Sequence, residues 1–228
     1  MSIEREVVSM FKVSRSKFRY TQAPVDRLDY TNRRNEIYTR YAKAYDGFMA
    51  CFPLWKKWLR SVLPYLKGEK LLEVSFGPGY LLSLYPPEFM IHALDYNQTM
   101  VDRAIAKMRK LNRPVNFVKG NVEQMPYPDE SFDTVVCTMA FSGYADGDIA
   151  MTELLRVLKK DGILLLMDYD YPLDDNLFGY LFVKLIERSG DIIKDIGAIL
   201  DNRGCTYERK IVGAFGSIQL FVIRKEIN

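Results

Sequence analysis

The stretch Glu73-Val74-Ser75-Phe76-Gly77-Pro78-Gly79 closes a short apolar segment, residues 70–76, with one acid and two glycines. Glycines at such a turn admit a ligand to the backbone with no Cβ in the way. A helix following the turn would aim its free N–H groups at the same place. A second apolar segment, residues 90–95, ends in Asp95, 16 residues beyond Gly79. A carboxylate at the tip of a second strand is placed to accept both hydroxyl protons of a ribose. Type and spacing therefore predict a nucleoside-bearing ligand lying across the first two strands. A dinucleotide turn needs G-x-G-x-x-G, but its third glycine position is Leu82, and no phosphate loop ending in GK[ST] is present. A nucleoside without phosphates fits better.

These residues need elements to hold them. Residues 1–32 read as an arm with little regular structure. From Arg33 to about Met49 the spacing is helical, with Ile37, Tyr41, Ala44, Tyr45 and Phe48 on one face. Pro53 opens a second helix with Leu54, Trp58, Val62 and Tyr65 as its stripe. The texture then alternates: strands at 70–76, 90–95, 115–119, 132–139 and 162–169, with helices at 98–112 and 146–159. The unbroken apolar run of the 162–169 strand predicts burial on both faces, as in a parallel sheet. Residues 175–201 read as a helix that Gly190 or Gly197 bends or splits. Segments 207–212 and 217–223, joined by Gly-Ala-Phe-Gly, predict an antiparallel pair. The expected fold is α/β: a Rossmann-like, doubly wound, seven-stranded sheet, mostly parallel with an antiparallel C-terminal strand, plus N-terminal helices. Ligands should then collect at the carboxyl ends of the strands, where strand order reverses.

Composition narrows the function. With 228 residues, 48% of them apolar, the chain can bury a sizeable core. A net charge of +3 with 27% charged residues excludes a disordered tail protein and a strongly basic nucleic-acid coat. Cys51, Cys137 and Cys205 form no C-x-x-C, which argues against a disulfide scaffold or a zinc knuckle and for a reducing, intracellular compartment. Cys137 is expected to be a buried strand residue. The one histidine, His92, reads as a core residue and excludes any mechanism needing a histidine pair. Residues 1–10 carry Glu4, Arg5 and Glu6 where a signal peptide would have an apolar run, and the run 163–167 is far short of the ~20 residues of a membrane helix. The expected location is cytoplasmic. Charge is uneven: residues 1–70 hold 15 Lys and Arg against 7 Asp and Glu, and the rest hold 17 against 22. A solvated helical extension accounts for this, and so would a surface meeting an anionic partner.

The motifs resemble the class I S-adenosylmethionine-dependent methyltransferases, whose first motif is E/D-x-G-x-G-x-G. Glu73, Gly77 and Gly79 match it, and Ser75 replaces the first glycine. Leu94-Asp95-Tyr96-Asn97 is similar to the family's second-strand acidic motif. The stretch 120–133, with Asn121 in place of the usual Asp, is similar to its G-D-A…L-P-F-P-D-x-S-F-D. Residues 153–162 resemble E-L-x-R-V-L-K-P-G-G, and 40–46 resemble the helical segment ahead of the domain. Coverage is roughly residues 38–170. The resemblance implies a division at 66: an arm and helices acting as a cap over 1–66, and a cofactor-binding methyltransferase domain over 67–228. It implies S-adenosyl-L-methionine as cofactor, with Glu73, Ser75, Gly77 and Gly79 near its methionine part. Asp95 would hold the ribose, Tyr96 pack on the adenine, and Asn121 and Val122 frame the adenine edge. Thr138 and Met139 would lie beneath the sulfonium, and Tyr41 would close the pocket.

Methyl transfer from a sulfonium needs positioning and exclusion of water more than a catalytic histidine, cysteine or metal. Where an acceptor must lose a proton, Tyr144, Asp168, Tyr169 and Asp170 are the candidate bases. No metal site is expected. The group resembled most modifies quinones, sterols and related lipophilic small molecules, though the chain ends at 218–225 without the histidine-containing segment of the quinone enzymes. Two other readings stay open: a cofactor-binding protein without transfer activity, suggested by Ser75 and Asn121, and a nucleic-acid methyltransferase using the basic 1–70 segment. Base-modifying enzymes resemble one another in an Asn/Asp-Pro-Pro-aromatic motif ending the fourth strand. The prolines here are Pro86 and Pro87, after the expected first helix, and that argues against a nucleic-acid substrate.

Overall fold

In the computed structural model, residues 12–225 are described apart from 22 and 52, and for 41–51 the backbone only. The apolar run at 163–167 lies in the long strand β5 (Leu158–Tyr169), buried on both faces as expected. Around it stand β1 (Lys70–Val74), β2 (Met90–Asp95), β3 (Asn116–Lys119), β4 (Phe132–Thr138), β6 (Thr206–Gly213) and β7 (Ile218–Arg224). The seven-stranded order is β3-β2-β1-β4-β5-β7-β6. Pairing is parallel from β3 to β5, and β7 runs antiparallel to both β5 and β6. Strand order reverses between β1 and β4.

Alternation along each central strand sends neighbouring residues to opposite faces. Leu71, Ile91, Val136 and Leu165 belong to one apolar core, and Leu72, Leu94, Cys137 and Leu166 to the other. The helices that cover them are α1 (Arg27–Cys51), α2 (Pro53–Arg60), α3 (Gln98–Lys110), α4 (Gly147–Val157), α5 (Leu177–Arg188) and α6 (Ile196–Asp201). Trp55 and Leu59 of α2, with Val62 after it, enter the same core as β1, so the N-terminal segment is packed into the sheet domain.

Several expectations are corrected. Helix α1 starts at Arg27, six residues before the expected Arg33, where Asp26 accepts Asp29 N–H at 2.8 Å. The face α1 turns toward the sheet domain, in its described part, is the polar series Thr31, Arg34, Asn35 and Tyr38, while Ile37 is 44% exposed. No α-helix follows the first glycine turn. Only a 3₁₀ turn, Leu81–Ser83, fits before Pro86 and Pro87, which have no N–H to donate and disfavour helical geometry at the residue ahead of each. The 175–201 helix is split at Gly190, φ +98°, as expected, into α5 and α6. His92 is half-buried in β2, its ring edge-on to Tyr127 and Phe132, and is not a full core residue. Cys137 is buried. Among the described residues no helix is long and apolar enough to cross a membrane.

Candidate functional site

A cavity of about 240 Å³ opens at the carboxyl ends of β1, β2, β3, β4 and β5, over the point where strand order reverses. Of the expected ligand-contacting residues, Glu73, Ser75, Gly77, Asp95 and Tyr96 line it. So do Asn121, Val122, Thr138 and Met139, together with the candidate bases Tyr144 and Tyr169.

The turn after β1 is built by its backbone. Ser75, Gly77 and Gly79 have φ of +52°, +54° and +74°. A Cβ on Gly77 would meet nothing within 4 Å, so this glycine leaves the cavity wall bare. Gly79 is not among the lining residues. A Cβ there would stand 3.1 Å from Ala104 Cβ and 3.2 Å from Leu82 Cδ1, so this glycine lets the turn press against α3. Ser75 occupies left-handed geometry despite its side chain, and its hydroxyl shares a hydrogen bond with Tyr144 Oη at 2.9 Å. Met139, at the end of β4, also has a positive φ, +55°. Non-glycine residues in that region carry backbone strain, which collects at functional sites.

Two buried acids face this turn. Asp95 Oδ2 accepts Gly77 N–H at 3.0 Å, and its Oδ1 accepts Asn97 N–H at 2.9 Å. Burial pushes its carboxyl up to about 6, against the pull of those N–H donors. Glu73, 2% exposed, is pushed by burial up to about 8, against the pull of the Tyr85 hydroxyl beside it. The Asn121 side-chain oxygen accepts Glu123 N–H at 3.0 Å and shapes the turn after β3.

The stretch resembling E-L-x-R-V-L holds the 125–129 loop. Arg156 donates to Tyr127 O at 2.7 Å and Met125 O at 3.1 Å, while Glu153 accepts Met125 N–H at 2.7 Å. Its charges act on the 125–129 loop, away from the cavity.

The candidate bases separate. Tyr144 is half-buried in the cavity wall, and burial holds its hydroxyl well above the usual tyrosine range. Asp168 is not among the lining residues: it is sealed behind the β4–α4 loop, accepting Ser142 N–H at 2.9 Å and Tyr169 N–H at 2.7 Å. Asp170 pairs with Arg209 at 2.8 Å and accepts Tyr20 Oη–H at 3.0 Å, also away from the cavity. The Tyr41 side chain lies outside the described residues.

The sequence reading expected a cap but missed the residues that fasten it. Asn97 caps α3, accepting Met100 N–H at 3.0 Å, and its Nδ2 donates to Asn35 Oδ1 at 2.7 Å and Thr39 Oγ1 at 2.8 Å on α1. Arg34 pairs with Asp191 at 2.9 Å, both lining the cavity. A polar series at i, i+3, i+4 and i+7 on α1 was the available signal. The apolar spacing beginning at Ile37 drew attention to the wrong face.

Residues 72–166 match the family model described as a methyltransferase domain. Among curated relatives, the ubiquinone/menaquinone biosynthesis C-methyltransferase of Pasteurella multocida is 28% identical over 149 residues, covering 61% of this chain and 56% of that protein. The demethylmenaquinone methyltransferase of Deinococcus radiodurans is 30% identical over 142 residues, covering 61% and 57%. The chain thus spans less than two thirds of the length of these relatives. Among solved structures, the YcgJ protein of Bacillus subtilis is 25% identical, with a TM-score of 0.59 over 67% of this chain and 69% of that one. A SAM-dependent methyltransferase from Aquifex aeolicus shares the fold at 21% identity and a TM-score of 0.55, covering 72% and 88%. Residues 72–166 are thus similar to a methyltransferase domain, and the sheet that holds them has the fold of a SAM-dependent methyltransferase.

Proposed function

We propose that this chain transfers a methyl group from S-adenosylmethionine to a small, lipophilic acceptor. One observation carries the reading: two buried carboxyls, Glu73 and Asp95, line the cavity where β1 and β2 end. Carboxyls buried this deeply are costly to ionise unless a ligand meets them. The ammonium of the cofactor's methionyl end fits Glu73, and the ribose hydroxyls fit Asp95, whose ionised form the N–H groups of Gly77 and Asn97 favour. Asn121, its oxygen engaged by Glu123 N–H, offers its Nδ2 to the adenine edge. Val122 and Tyr96 supply apolar surface on either side.

The bound sulfonium supplies an activated methyl and a neutral thioether leaving group. The chain's part is placement. Ser75 fixes the Tyr144 hydroxyl, Thr138 and Met139 form the floor, and α1 excludes water from above. In this reading residues 1–66 act as the cap and 67–228 as the catalytic domain. Tyr144, held protonated by burial, orients an acceptor and does not take its proton, which a quinol or phenol acceptor gives up to solvent; Tyr169 completes that wall. The curated relatives are named for quinone methylation, and a lipophilic ring acceptor is the class we assign. A cytoplasmic location accords with the reading.

A second reading, cofactor binding without turnover, rests on Ser75 and Asn121. Calorimetric titration with S-adenosylmethionine tests the site, and formation of S-adenosylhomocysteine with a panel of quinols and phenols tests transfer. Absence of binding would sink both readings. Binding with no turnover across the panel would favour the second.

A further inference from the structure

Three segments distant in sequence meet in one buried polar knot at the edge of the cavity. Asp191 lies in the loop between α5 and α6. Its Oδ1 accepts Arg34 Nη2 from α1 at 2.9 Å and Ser142 Oγ from the β4–α4 loop at 3.2 Å. Its Oδ2 accepts Ser189 Oγ at 3.1 Å. Ile192 N–H then donates to Ser142 O at 2.8 Å. Lys194, two residues further on and 7% exposed, donates to Phe141 O and Tyr144 O at 2.9 Å each. On the other side Tyr30 Oη of α1 donates to Gly190 O at 2.9 Å. One seven-residue loop, 189–195, therefore grips both the roof helix and the loop that carries Tyr144.

The Arg34 and Asp191 side chains are 12% and 13% exposed. Burying a pair this deeply costs desolvation that its Coulomb attraction barely returns, so the pair is poor value as a mere staple. What it adds is geometry. A single carboxylate sets the register of roof and floor at once. The roof's described underside is polar, so no apolar seam would hold it down without such a grip.

We propose that Asp191 is a positioning residue. It latches α1 over the cavity through Arg34 and fixes Tyr144 below through Ser142, and Lys194 anchors the loop that presents it. The latch acts in the cofactor reading given above: it sets how long the cofactor stays and whether the Tyr144 hydroxyl is held in place during transfer.

The test is a double-mutant cycle with Asp191→Asn and Arg34→Gln, each close to the native volume, plus Arg34→Lys as the conservative variant. Circular dichroism checks folding. Two readouts follow. Amide hydrogen exchange across residues 27–40 in the ligand-free chain reports the latch without reference to any cofactor. The dissociation rate of S-adenosylhomocysteine, with kcat and KM measured separately once an acceptor is in hand, reports its effect on the site. Either single substitution should speed both exchange and dissociation, roughly tenfold. The double variant should match the singles, because one contact cannot be broken twice. Arg34→Lys should recover most of the slow dissociation, and Asp191→Asn should lower kcat as well as raise KM. Exchange left unchanged, or effects that add, would overturn the latch. Failure of the unsubstituted chain to bind S-adenosylhomocysteine would overturn the cofactor reading instead, and the exchange result would still decide the latch.

Discussion

Glu73 carries a conflict between stability and binding. Its carboxyl is pushed by burial from 4.5 up to about 8, so at neutral pH the folded chain holds a proton that the unfolded chain has lost. The stability this contributes is fully present below about 4.5 and is lost as pH rises through about 8. Glu73→Gln should therefore gain melting temperature over the native chain, with a margin that widens from pH 5 to pH 9 in thermal unfolding. A margin constant with pH would count against the assigned cause. The same proton must leave when a cationic cofactor binds, so calorimetry in two buffers of different ionisation heat should show proton release below about pH 8. Asp95 poses a different problem. Because it accepts Gly77 and Asn97 N–H groups, Asp95→Ala would orphan two backbone donors and disturb the turn itself. Asp95→Asn is the cleaner probe. Weakening bonds worth ~1.5–3 kcal/mol each should raise the cofactor dissociation constant about tenfold or more, and an unchanged constant would remove Asp95 from the ribose site.

The elements that were legible are those whose signal is local. β1, β2, β4 and β7 announced themselves as apolar runs bounded by turns, and residues 120–133 and 153–162 by their resemblance to a known family. What escaped depends on partners far along the chain. The polar underside of α1 is explained by Asn97 and Asp191, 62 and 157 positions from Asn35 and Arg34, whereas its start rests on a local cap, Asp26, three residues from the N–H it accepts. The helix expected after Gly79 failed for a local reason that was visible: Pro86 and Pro87 leave room only for a 3₁₀ turn. Gly79 shows what that turn must do. At φ +74°, with Ala104 Cβ 3.1 Å from the place of its missing Cβ, it seats the turn on α3. Gly79→Ala should destabilise by more than the ~1 kcal/mol that a compatible glycine substitution would gain. The urea midpoint should fall without a change of slope, whereas Gly77→Ala, with no neighbour within 4 Å, should cost only its backbone strain.

Charge and burial act on different parts of the whole molecule, and they can be separated. The basic excess of the first 70 residues finds acids in the later chain: Arg15 meets Asp175, Arg27 meets Asp146, Arg34 meets Asp191 and Lys67 meets Asp161. The asymmetry read from sequence therefore serves to dock the N-terminal segment on the sheet domain, and a nucleic-acid partner is not needed to explain it. Arg15, Arg27 and Lys67 keep at least half of their side-chain surface in water, so those pairs are screened and each is worth little. The two apolar cores on either face of the sheet carry the stability. Raising salt from about 0.05 to about 0.5 M, which shrinks the screening length severalfold, should move the melting temperature by no more than about 2 °C. A ligand filling the cavity acts on the fold through linkage instead. S-adenosylhomocysteine at a hundredfold excess over its dissociation constant should add about 2.7 kcal/mol, which for a chain of this length is roughly 5–10 °C. Both shifts come from one set of melting curves. If salt moved the midpoint more than the ligand did, docking of the N-terminal segment by charge would outweigh closure over the cavity, and the assignment of the cavity as the binding site would lose its thermodynamic support.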